Sequence, residues 1–231
     1  EQVAGDEIAP DDPVCRTAAI FYRLGPVRRN AGDADIALSR NEVLTERTDI
    51  IGSAFLGLTI GCARCHNHKL EPILQKDYYR LQAYVAATEE DDVSLAPAEA
   101  LRAWQMETKA LKDGIEHLRM RAKAATGDEK ARLGERIEAL EDRLPPPLAT
   151  IPSIRNAFEH RTPIHVLRRG VWEDKGEPVG PRPLGILAPD DLPELPPDQP
   201  DPRTRLARWL ADPVHPLTAR VIVNRLWQGH F

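Results

Sequence analysis

Residues 98–144 decide the fold class of this chain, and they read AEALRAWQMETKALKDGIEHLRMRAKAATGDEKARLGERIEALEDRL. Apolar residues recur along them at spacings of three and four, the heptad rhythm of helices that pack side by side, with Thr108 as a polar interruption. Thr126-Gly127-Asp128 divides the stretch, because a glycine can end one helix and a polar residue can cap the next. Pro145 to Pro147 end the second helix. We therefore predict an antiparallel helical hairpin, whose inner face carries Leu101, Trp104, Leu111, Ile115, Leu118, Ala122 and Ala125 on the first arm and Leu133, Ile137, Leu140 and Leu144 on the second.

Helical patterns also flank the hairpin. An apolar run from Ile50 to Ile60 predicts a helix that is buried on most of its surface. Residues 204–210 and 217–227 predict two C-terminal helices, separated by Asp212-Pro213. Apolar residues at helical spacing predict a further helix over residues 73–87, and its buried face carries Leu74, Tyr78, Leu81 and Val85.

The rest of the chain is predicted to be irregular or extended. Residues 1–45 are expected to form loops with one or two short helices. Strand character is expected over residues 149–176, where residues 162–170 resemble one strand that runs into a turn. Residues 178–202 contain nine of the 21 prolines, which predicts an extended connector laid over a surface. The chain is therefore predicted to be mainly α, with a small β content near residues 150–176.

The composition argues against several classes of protein. The 231 residues carry 31 basic and 36 acidic side chains. The formal net charge is therefore −5, and the chain has no excess of positive charge that would indicate binding to nucleic acid. No apolar run reaches the roughly 18 residues that a transmembrane helix needs. Three cysteines are too few for a disulfide scaffold in a chain of this length. We find no motif of a hydrolase or a transferase.

The residues that carry chemistry are Cys62-Ala63-Arg64-Cys65-His66, the C-x-x-C-H pattern of haem c attachment. Two thiols on one side of a helical turn can add to the two vinyl groups of a porphyrin, and the histidine that follows can bind the iron. Cys62 and Cys65 are therefore the predicted thioether anchors, and His66 is the predicted proximal ligand. The predicted apolar wall of the ring consists of Phe55, Leu56, Leu58, Ile60, Leu70, Ile73 and Tyr78, with Arg64 and Lys69 as candidate partners of the propionates.

Other interpretations of the cysteine pair remain open. A structural zinc site would use the pair with His66 or His68, and it would need more distant ligands to close a tetrahedron. A thioredoxin-like dithiol is disfavoured, because no βαβ pattern surrounds the motif. A plain disulfide or an inert pair is the remaining alternative. The distant ligands that zinc could draw on are Cys15, His160 and His165.

The sixth ligand of the iron is not identified by the pattern. Met106 and Met120 lie off the apolar seam of the hairpin, so we expect them at its surface. His68 is too close to His66 in sequence to reach the opposite face of the same ring. The sixth position is then open or water-bound, or it is filled by one of the remaining candidates, which are His160, His165, His215 and His230.

Three segments resemble the planctomycete-type secreted cytochrome-like family. Residues 55–69, which end in the C-x-x-C-H motif and His68-Lys69, are similar to its haem-attachment region, and residues 71–73 and 75–79 continue the similarity. Residues 205–231 resemble the start of the domain that follows in the same proteins. Residues 164–170 are similar to a shorter motif that links the two. The three segments stand in the order of the family.

The resemblance implies a large secreted or periplasmic multidomain protein with a haem c site and no assigned molecular function. Cys62, Cys65 and His66 match the attachment motif of the family residue for residue. Asn67 stands where the family usually has an acidic residue, and Leu70-Glu71 stands where an aromatic residue followed by Asp is usual. The expected partners are electron-transfer proteins or further haem domains of the same polypeptide.

Four parts are predicted along the chain. Residues 1–97 are the C-terminal part of a cytochrome-like domain, residues 98–147 a hairpin insertion, and residues 148–203 a strand, turn and proline-rich connector. Residues 204–231 are the start of the following domain, because no stop signal precedes Phe231. The functional hypothesis is electron transfer. The alternative is a non-haem scaffold module of a secreted polysaccharide-processing assembly, with the cysteine pair as a disulfide or zinc site and the hairpin as a protein–protein surface.

Two further features of the sequence carry predictions. The acidic run Glu89 to Asp92 lacks the spaced oxygens and the glycine of a calcium loop, and it is predicted to be a solvated helix terminus. The last helix carries polar side chains beside Trp227, which predict either a ligand or partner surface or a brace for a following domain. These side chains are Arg220, Asn224, Arg225 and Gln228.

Overall fold

The computed structural model describes residues 1–25 and 36–231, and the described chain is mainly α, as predicted. These residues form two compact units, one of residues 1–92 and 152–231 and the other of residues 93–151. The four-part division by composition is a different partition of the chain and stays a prediction. The α-helices are α1 (Gly5–Ile8), α2 (Pro13–Ala18), α3 (Ile36–Ile51), α4 (Gln75–Gln82), α5 (Ala98–Ala124), α6 (Gly127–Glu141), α7 (Pro202–Leu210) and α8 (Thr218–His230).

Short strands and helical turns connect the α-helices. Strand β1 (Thr88–Ser94) pairs with β2 (Thr150–Asn156), and β3 (His165–Leu167) pairs antiparallel with β4 (Lys175–Pro178). The predicted β content near residues 150–176 is therefore confirmed, although the strand expected over residues 162–170 covers only three residues. One π-helical turn spans Gly52–Leu56, and 3₁₀ turns span Ala19–Arg23, Ile60–Arg64, Ala83–Val85, Phe158–His160, Arg168–Gly170 and Gly185–Leu187.

The core of the first unit is centred on α4. Tyr78 and Leu81 of α4 and Val85 of the 3₁₀ turn that follows it are fully buried, so the buried face predicted for residues 73–87 is confirmed at three of its four positions, although the α-helix covers only Gln75–Gln82. Leu74 is half exposed instead. It lies at the N-cap with extended backbone, φ −79° and ψ 151°, and its side chain therefore does not follow the face of the helix.

The helix predicted from Ile50 to Ile60 is wrong in its bounds. Helix α3 begins at Ile36, continues through the π-helical turn and ends at Gly57, whose φ of +64° is the left-handed conformation that glycine adopts freely. The loop expected up to residue 45 is therefore helical from Ile36, while residues 26–35 lie outside the described part. Residues 1–25 contain two short helices, as predicted. Gly52 then lets the chain fold back, because a Cβ there would lie 2.7 Å from the side chain of Ile60.

A buried ionic cluster joins α1 to α7. The guanidinium of Arg203 is fully buried and donates to both carboxylate oxygens of Asp6, at 2.5 and 2.6 Å, and to Asn156 Oδ1 at 3.0 Å. Burial alone would lower the pKa of Arg203, but its hydrogen bonds to Asp6 and the acidic charges around it raise the pKa overall. Glu7 accepts from the backbone N–H of Thr204 at 2.6 Å and from its hydroxyl at 2.8 Å, which satisfies the N-terminus of α7.

The acidic run forms strand β1 rather than the predicted helix terminus. Asp91 pairs with Arg16, and Arg23 pairs with Glu90 and Asp92. Glu89 of the same strand pairs with Arg155 at 3.3 Å and with His160 at 3.0 Å. The prediction is wrong because cations brought from distant positions neutralise the run, which a local pattern cannot show.

The second unit contains the predicted hairpin of α5 and α6. Every position of the predicted apolar face is buried or half-buried, and most of the other helix positions are exposed. Trp104 Nε1 donates to the carbonyl of Pro146 at 2.9 Å, which fastens the start of α5 to the end of the hairpin. Met106 and Met120 are exposed, as predicted. No helix in residues 1–25 and 36–231 is both long and apolar enough to cross a membrane.

The proline-rich connector has one 3₁₀ turn and otherwise no helix or strand after Pro178, which agrees with the prediction. The connector does not only lie over a surface, as the sequence predicted, because Leu184 is fully buried in the core. Arg182 holds it in a closed loop by donating to the carbonyls of Leu192 and Pro189, at 2.7 and 2.9 Å.

Helix α8 has no buried residue. Val221 packs at Gly57, and Arg225 donates to the carbonyl of Ser53 at 2.6 Å, so α8 braces the π-helical turn of this chain. Trp227 and Phe231 stack on each other, with ring centroids 4.4 Å apart. The polar side chains of α8 are exposed, and their role as a ligand or partner surface stays a prediction.

Replacement of Arg203 by Leu should cost the protein about 3–5 kcal/mol of unfolding free energy, because it leaves the Asp6 carboxylate buried without its cation. Urea unfolding of the wild type and the variant measures the loss. Arg205→Leu is the matched control, since this side chain is 53% exposed and 3.7 Å from Asp201, and we expect a cost below about 1 kcal/mol. Equal losses in the two variants would contradict a central role for the buried cluster.

Candidate functional site

The two cysteines of the motif lie on a single 3₁₀ turn. Ile60–Arg64 forms the turn, and Cys65 closes it by donating its backbone N–H to the carbonyl of Cys62 at 3.4 Å. Side chains three residues apart lie over one another in a 3₁₀ turn, so the two thiols share one side of it. Both are free and exposed. The structure thus has the helical turn that the spacing predicts, but in the tighter 3₁₀ form.

Helix α4 and strand β3 fix the backbone of this turn. The carbonyl of Arg64 accepts from Gln75 Nε2 at 2.9 Å and from the Tyr79 hydroxyl at 2.8 Å, and Gln75 Nε2 also donates to the carbonyl of Leu167 at 2.8 Å. Burial raises the pKa of Tyr79 to about 12, so the phenol is a stable donor at neutral pH. The positions of Cys62 and Cys65 therefore depend on the core and not on a mobile loop.

His66 is exposed, and its hydrogen bond defines its tautomer. Its Nδ1 lies 2.6 Å from the backbone carbonyl of Asn67. Because a carbonyl oxygen can only accept, Nδ1 carries the proton and Nε2 keeps its lone pair. A metal-binding histidine typically donates its other ring N–H to a carbonyl or carboxylate in this way. The local chemistry of His66 therefore fits an axial ligand of iron.

Asn67 connects the motif to α4 by a contact that the sequence did not predict. Its side-chain oxygen accepts from the backbone N–H of Gln75, the first residue of α4, at 2.9 Å. A carboxylate could accept the same bond, which explains physically why an acidic residue and Asn can both occupy this position. The sequence signal for this contact was that Asn67 departs from the family pattern. That signal did not identify the partner, because eight residues separate Asn67 from Gln75.

His68 has the opposite tautomer to His66. Its Nδ1 accepts from the backbone N–H groups of Glu71 and Leu70, at 2.8 and 3.3 Å, so Nε2 must carry the proton. A protonated nitrogen has no lone pair for a metal. His68 therefore shapes the loop that follows the motif, and its exclusion as the distal ligand stays a prediction.

Three of the four remaining histidine candidates make hydrogen bonds of two kinds. Nδ1 of His160 pairs with Glu89 and that of His165 lies 3.2 Å from the carbonyl of Gly176, so each keeps Nε2 available, as His66 does, whereas Nδ1 of His215 accepts from the backbone N–H of Thr218 at 3.3 Å, so its Nε2 carries the proton. Cys15 is buried in α2. In the described ranges, 1–25 and 36–231, no three or more His, Cys, Asp or Glu side chains are grouped so that they could hold a metal ion.

Most of the residues that were predicted to form the apolar wall of a haem site are buried in the core of the protein instead. Leu56, Ile60, Ile73 and Tyr78 are each at most 3% exposed, so they pack against the first unit and present little surface to a ligand. Phe55 and Leu58 are partly buried, and Leu70 is 85% exposed. The thiols and the imidazole therefore fit a covalently attached haem, whereas the apolar pocket expected from the sequence is not formed by these residues.

Gly170 makes the closest approach of another segment to the motif. It has a left-handed φ of +72°, and a Cβ built on it would lie 2.8 Å from Cys65 Sγ. Arg64 Nη2 donates to the carbonyl of the same glycine at 3.4 Å. The turn between β3 and β4 therefore packs against the second thiol of the pair.

Comparison with known proteins finds two family models. Residues 1–90, which include the motif, match PSCyt2, a protein of unknown function (DUF1549), and residues 202–231 match PSD1, a protein of unknown function (DUF1553). Both are planctomycete-type families, and neither description names a haem. No curated protein and no solved structure matches the chain.

Replacement of Gly170 by Ala should change the reactivity of Cys65 and leave that of Cys62 unchanged. The added methyl group forces the Cys65 side chain to rotate into solvent, and thiol reactivity rises with exposure, so we expect roughly threefold faster labelling. Labelling with an alkylating agent, read by peptide mass spectrometry, measures each cysteine separately. Gly127→Ala is the control, since φ is +58° there and nothing lies within 4 Å of its Cβ position. If this control accelerates Cys65 equally, the packing of Gly170 on the thiol is not the cause.

Proposed function

We propose that this chain binds haem c and belongs to an electron-transferring region of a secreted or periplasmic multidomain protein. The observation that carries the proposal is the geometry of the motif. Two free, exposed thiols share one 3₁₀ turn, and the adjacent His66 is held by Asn67 in the tautomer that leaves Nε2 available. This is the donor set of c-type haem attachment.

Each residue of the motif has a separate part in the proposal. Cys62 and Cys65 would hold the haem by adding their thiols to its vinyl groups, and His66 would bind the iron through Nε2. Asn67 orients the imidazole, because its carbonyl accepts the Nδ1 proton at 2.6 Å. The bound group would supply a one-electron redox centre, and the residues of this chain would set its orientation and its exposure to water.

The environment of the turn favours electron exchange over chemistry in a closed pocket. Four of the seven side chains that could have enclosed the ring are buried in the core instead. An exposed ring suits transfer to a partner that docks against it, and the partners that we propose are electron-transfer proteins or further haem domains of the same polypeptide. The hairpin of α5 and α6 is a second proposed protein–protein surface.

The compartment follows from the same proposal. The family resemblance implies secreted or periplasmic proteins, and thioether attachment of haem belongs outside the cytoplasm. The match of residues 1–90 to PSCyt2 and of residues 202–231 to PSD1 supports the multidomain part of this proposal. The motif lies inside the first of these matches.

Production of the chain with a periplasmic haem-attachment system should give a covalent adduct of one haem. We expect the intact mass to rise by one haem and the pyridine haemochrome spectrum to show two thioethers. Cys62→Ala and Cys65→Ala should each remove one thioether and shift the spectrum toward that of haem with a free vinyl group, whereas the double variant should lose covalent haem.

Cys15→Ala is the matched control for these variants, because Cys15 is a thiol that is buried elsewhere in the fold, and it should keep both thioethers. A wild-type protein that carries no haem after this treatment would overturn the proposal. A mass two hydrogen atoms below that of the reduced chain would instead support the scaffold alternative with a disulfide, formed by two-electron oxidation, between Cys62 and Cys65. A tightly bound zinc ion would support the other form of that alternative.

The neighbouring histidines provide a second test, because their tautomers predict opposite results. In haem-loaded protein, His66→Ala should alter the ferrous spectrum through loss of the proximal ligand. His68→Ala should leave the spectrum unchanged and lower Tm by about 2–4 °C, since two backbone N–H groups lose an acceptor worth about 1 kcal/mol. Absorption spectra and thermal unfolding distinguish the two effects. A spectral change in the His68 variant alone would contradict the assignment of ligands.

A further inference from the structure

The first unit contains a cavity of about 530 Å³ away from the cysteine motif. The first half of α3, the end of α4 and residues 160–175 line it, and none of Cys62, Cys65 and His66 is among its lining residues. A volume of this size is typical of sites for small organic molecules. The cavity therefore does not include the cysteines and the histidine that are proposed to hold the haem.

The wall of the cavity is mainly apolar. Ile36, Leu44, Ile164 and Leu167 contribute aliphatic side chains, and Trp172 contributes an aromatic ring. Leu44, Ile164 and Leu167 belong to the buried core, so this side of the cavity is rigid. Such a wall suits a ligand with an apolar or ring-shaped body.

Two amide groups in the cavity wall have unused hydrogen-bond donors. Gln82 is only 2% exposed, and its Nε2 has no acceptor among the described residues. Asn41 Nδ2 is likewise buried with no acceptor in the described part of the chain. A buried donor without a partner costs about 1–3 kcal/mol, so such groups usually have a partner that is supplied from outside the protein.

The charge of the lining residues is positive. Arg40, Arg161 and Lys175 line the cavity, and no Asp or Glu lines it within the described ranges. Arg40 donates to the carbonyls of Ala86 and Thr88, at 2.9 and 2.7 Å, so its hydrogen bonds leave its charge unneutralised. Burial lowers the pKa of Arg40, and Glu89 opposes this shift only in part. An anion in the cavity would offset the cost of this buried charge.

We propose that this cavity binds a small organic carboxylate with an apolar or aromatic body. The carboxylate accepts hydrogen bonds from Gln82 Nε2 and Asn41 Nδ2 and lies in the field of Arg40, while the body of the molecule packs against Ile164 and Trp172. Lys175 is exposed at the rim and attracts the anion from solution. The molecule is bound without covalent chemistry.

Indole-3-acetate is a suitable probe, and indole-3-acetamide is its uncharged isostere. We expect the acid to shift the indole N–H resonance of Trp172 in NMR spectra, with a Kd of about 1 mM, which is typical for a ligand of this size. Trp172→Phe assigns the resonance. The amide should bind at least about tenfold more weakly, since hydrogen bonds to a charged group are the stronger ones. Inorganic phosphate should neither shift this resonance nor compete.

Gln82→Leu separates binding from folding. It removes an unpartnered donor and keeps the apolar volume, so Tm should stay equal or rise, while affinity for the acid should fall about tenfold. Gln105→Leu, at an exposed position of α5, is the matched control and should leave both quantities unchanged.

Lys175→Gln should weaken binding of the acid at low salt more than at high salt, because it acts through long-range attraction. Equal binding of acid and amide, competition by phosphate, unchanged affinity in the Gln82 variant or no shift of the Trp172 resonance up to about 10 mM probe would each overturn the proposal.

Discussion

The buried contact between Arg203 and Asp6 is the constraint on which the first unit depends. It joins the first helix of the chain to α7, and Asn156 in β2 completes the same cluster. A buried cation is tolerated only when its partners are correctly placed, so the cluster is satisfied in a single arrangement of these three segments. The cation–π contact of Arg203 with the Tyr22 ring, at 5.9 Å, extends the cluster into the core.

The 3₁₀ turn Ile60–Arg64, which carries the candidate haem site, is positioned by this core. Gln75 and Tyr79 lie on α4, and both bind the carbonyl of Arg64, between the two cysteines. Helix α7, one of the elements that the ionic cluster holds together, packs against the 3₁₀ turn Ala83–Val85 that follows α4, and α4 itself packs against α3 and β3. The buried ionic cluster therefore supports the packing of the helices. This packing in turn positions the thiols of Cys62 and Cys65 and the imidazole of His66. The cavity at the start of α3 depends on the same core through Gln82, which is also on α4.

Periodicity was sufficient to predict the hairpin, because both of its helices bury one regular stripe against each other. It was also sufficient for α4, apart from Leu74 at its cap. It failed at residues 50–60, where composition suggested one helix and a single glycine in the left-handed region ends it. It failed again at Glu89 to Asp92, because the arginines that neutralise the run are about 65 or more residues away along the chain. The cysteine motif was recognisable from its spacing, whereas the tautomers of His66 and His68 depend on backbone groups that no sequence pattern reports.

The pairing of β1 with β2 affects how much the core depends on the length of the hairpin. The segment between these strands contains the whole hairpin, and its two ends leave and re-enter the first unit on neighbouring strands. Closing a loop between fixed, adjacent ends costs little more when the loop is long, since the entropy grows only with the logarithm of its length. Helical arms of other lengths could therefore be exchanged at this point without disturbing the core around α4. The core around α4 therefore places little constraint on the length of the hairpin arms.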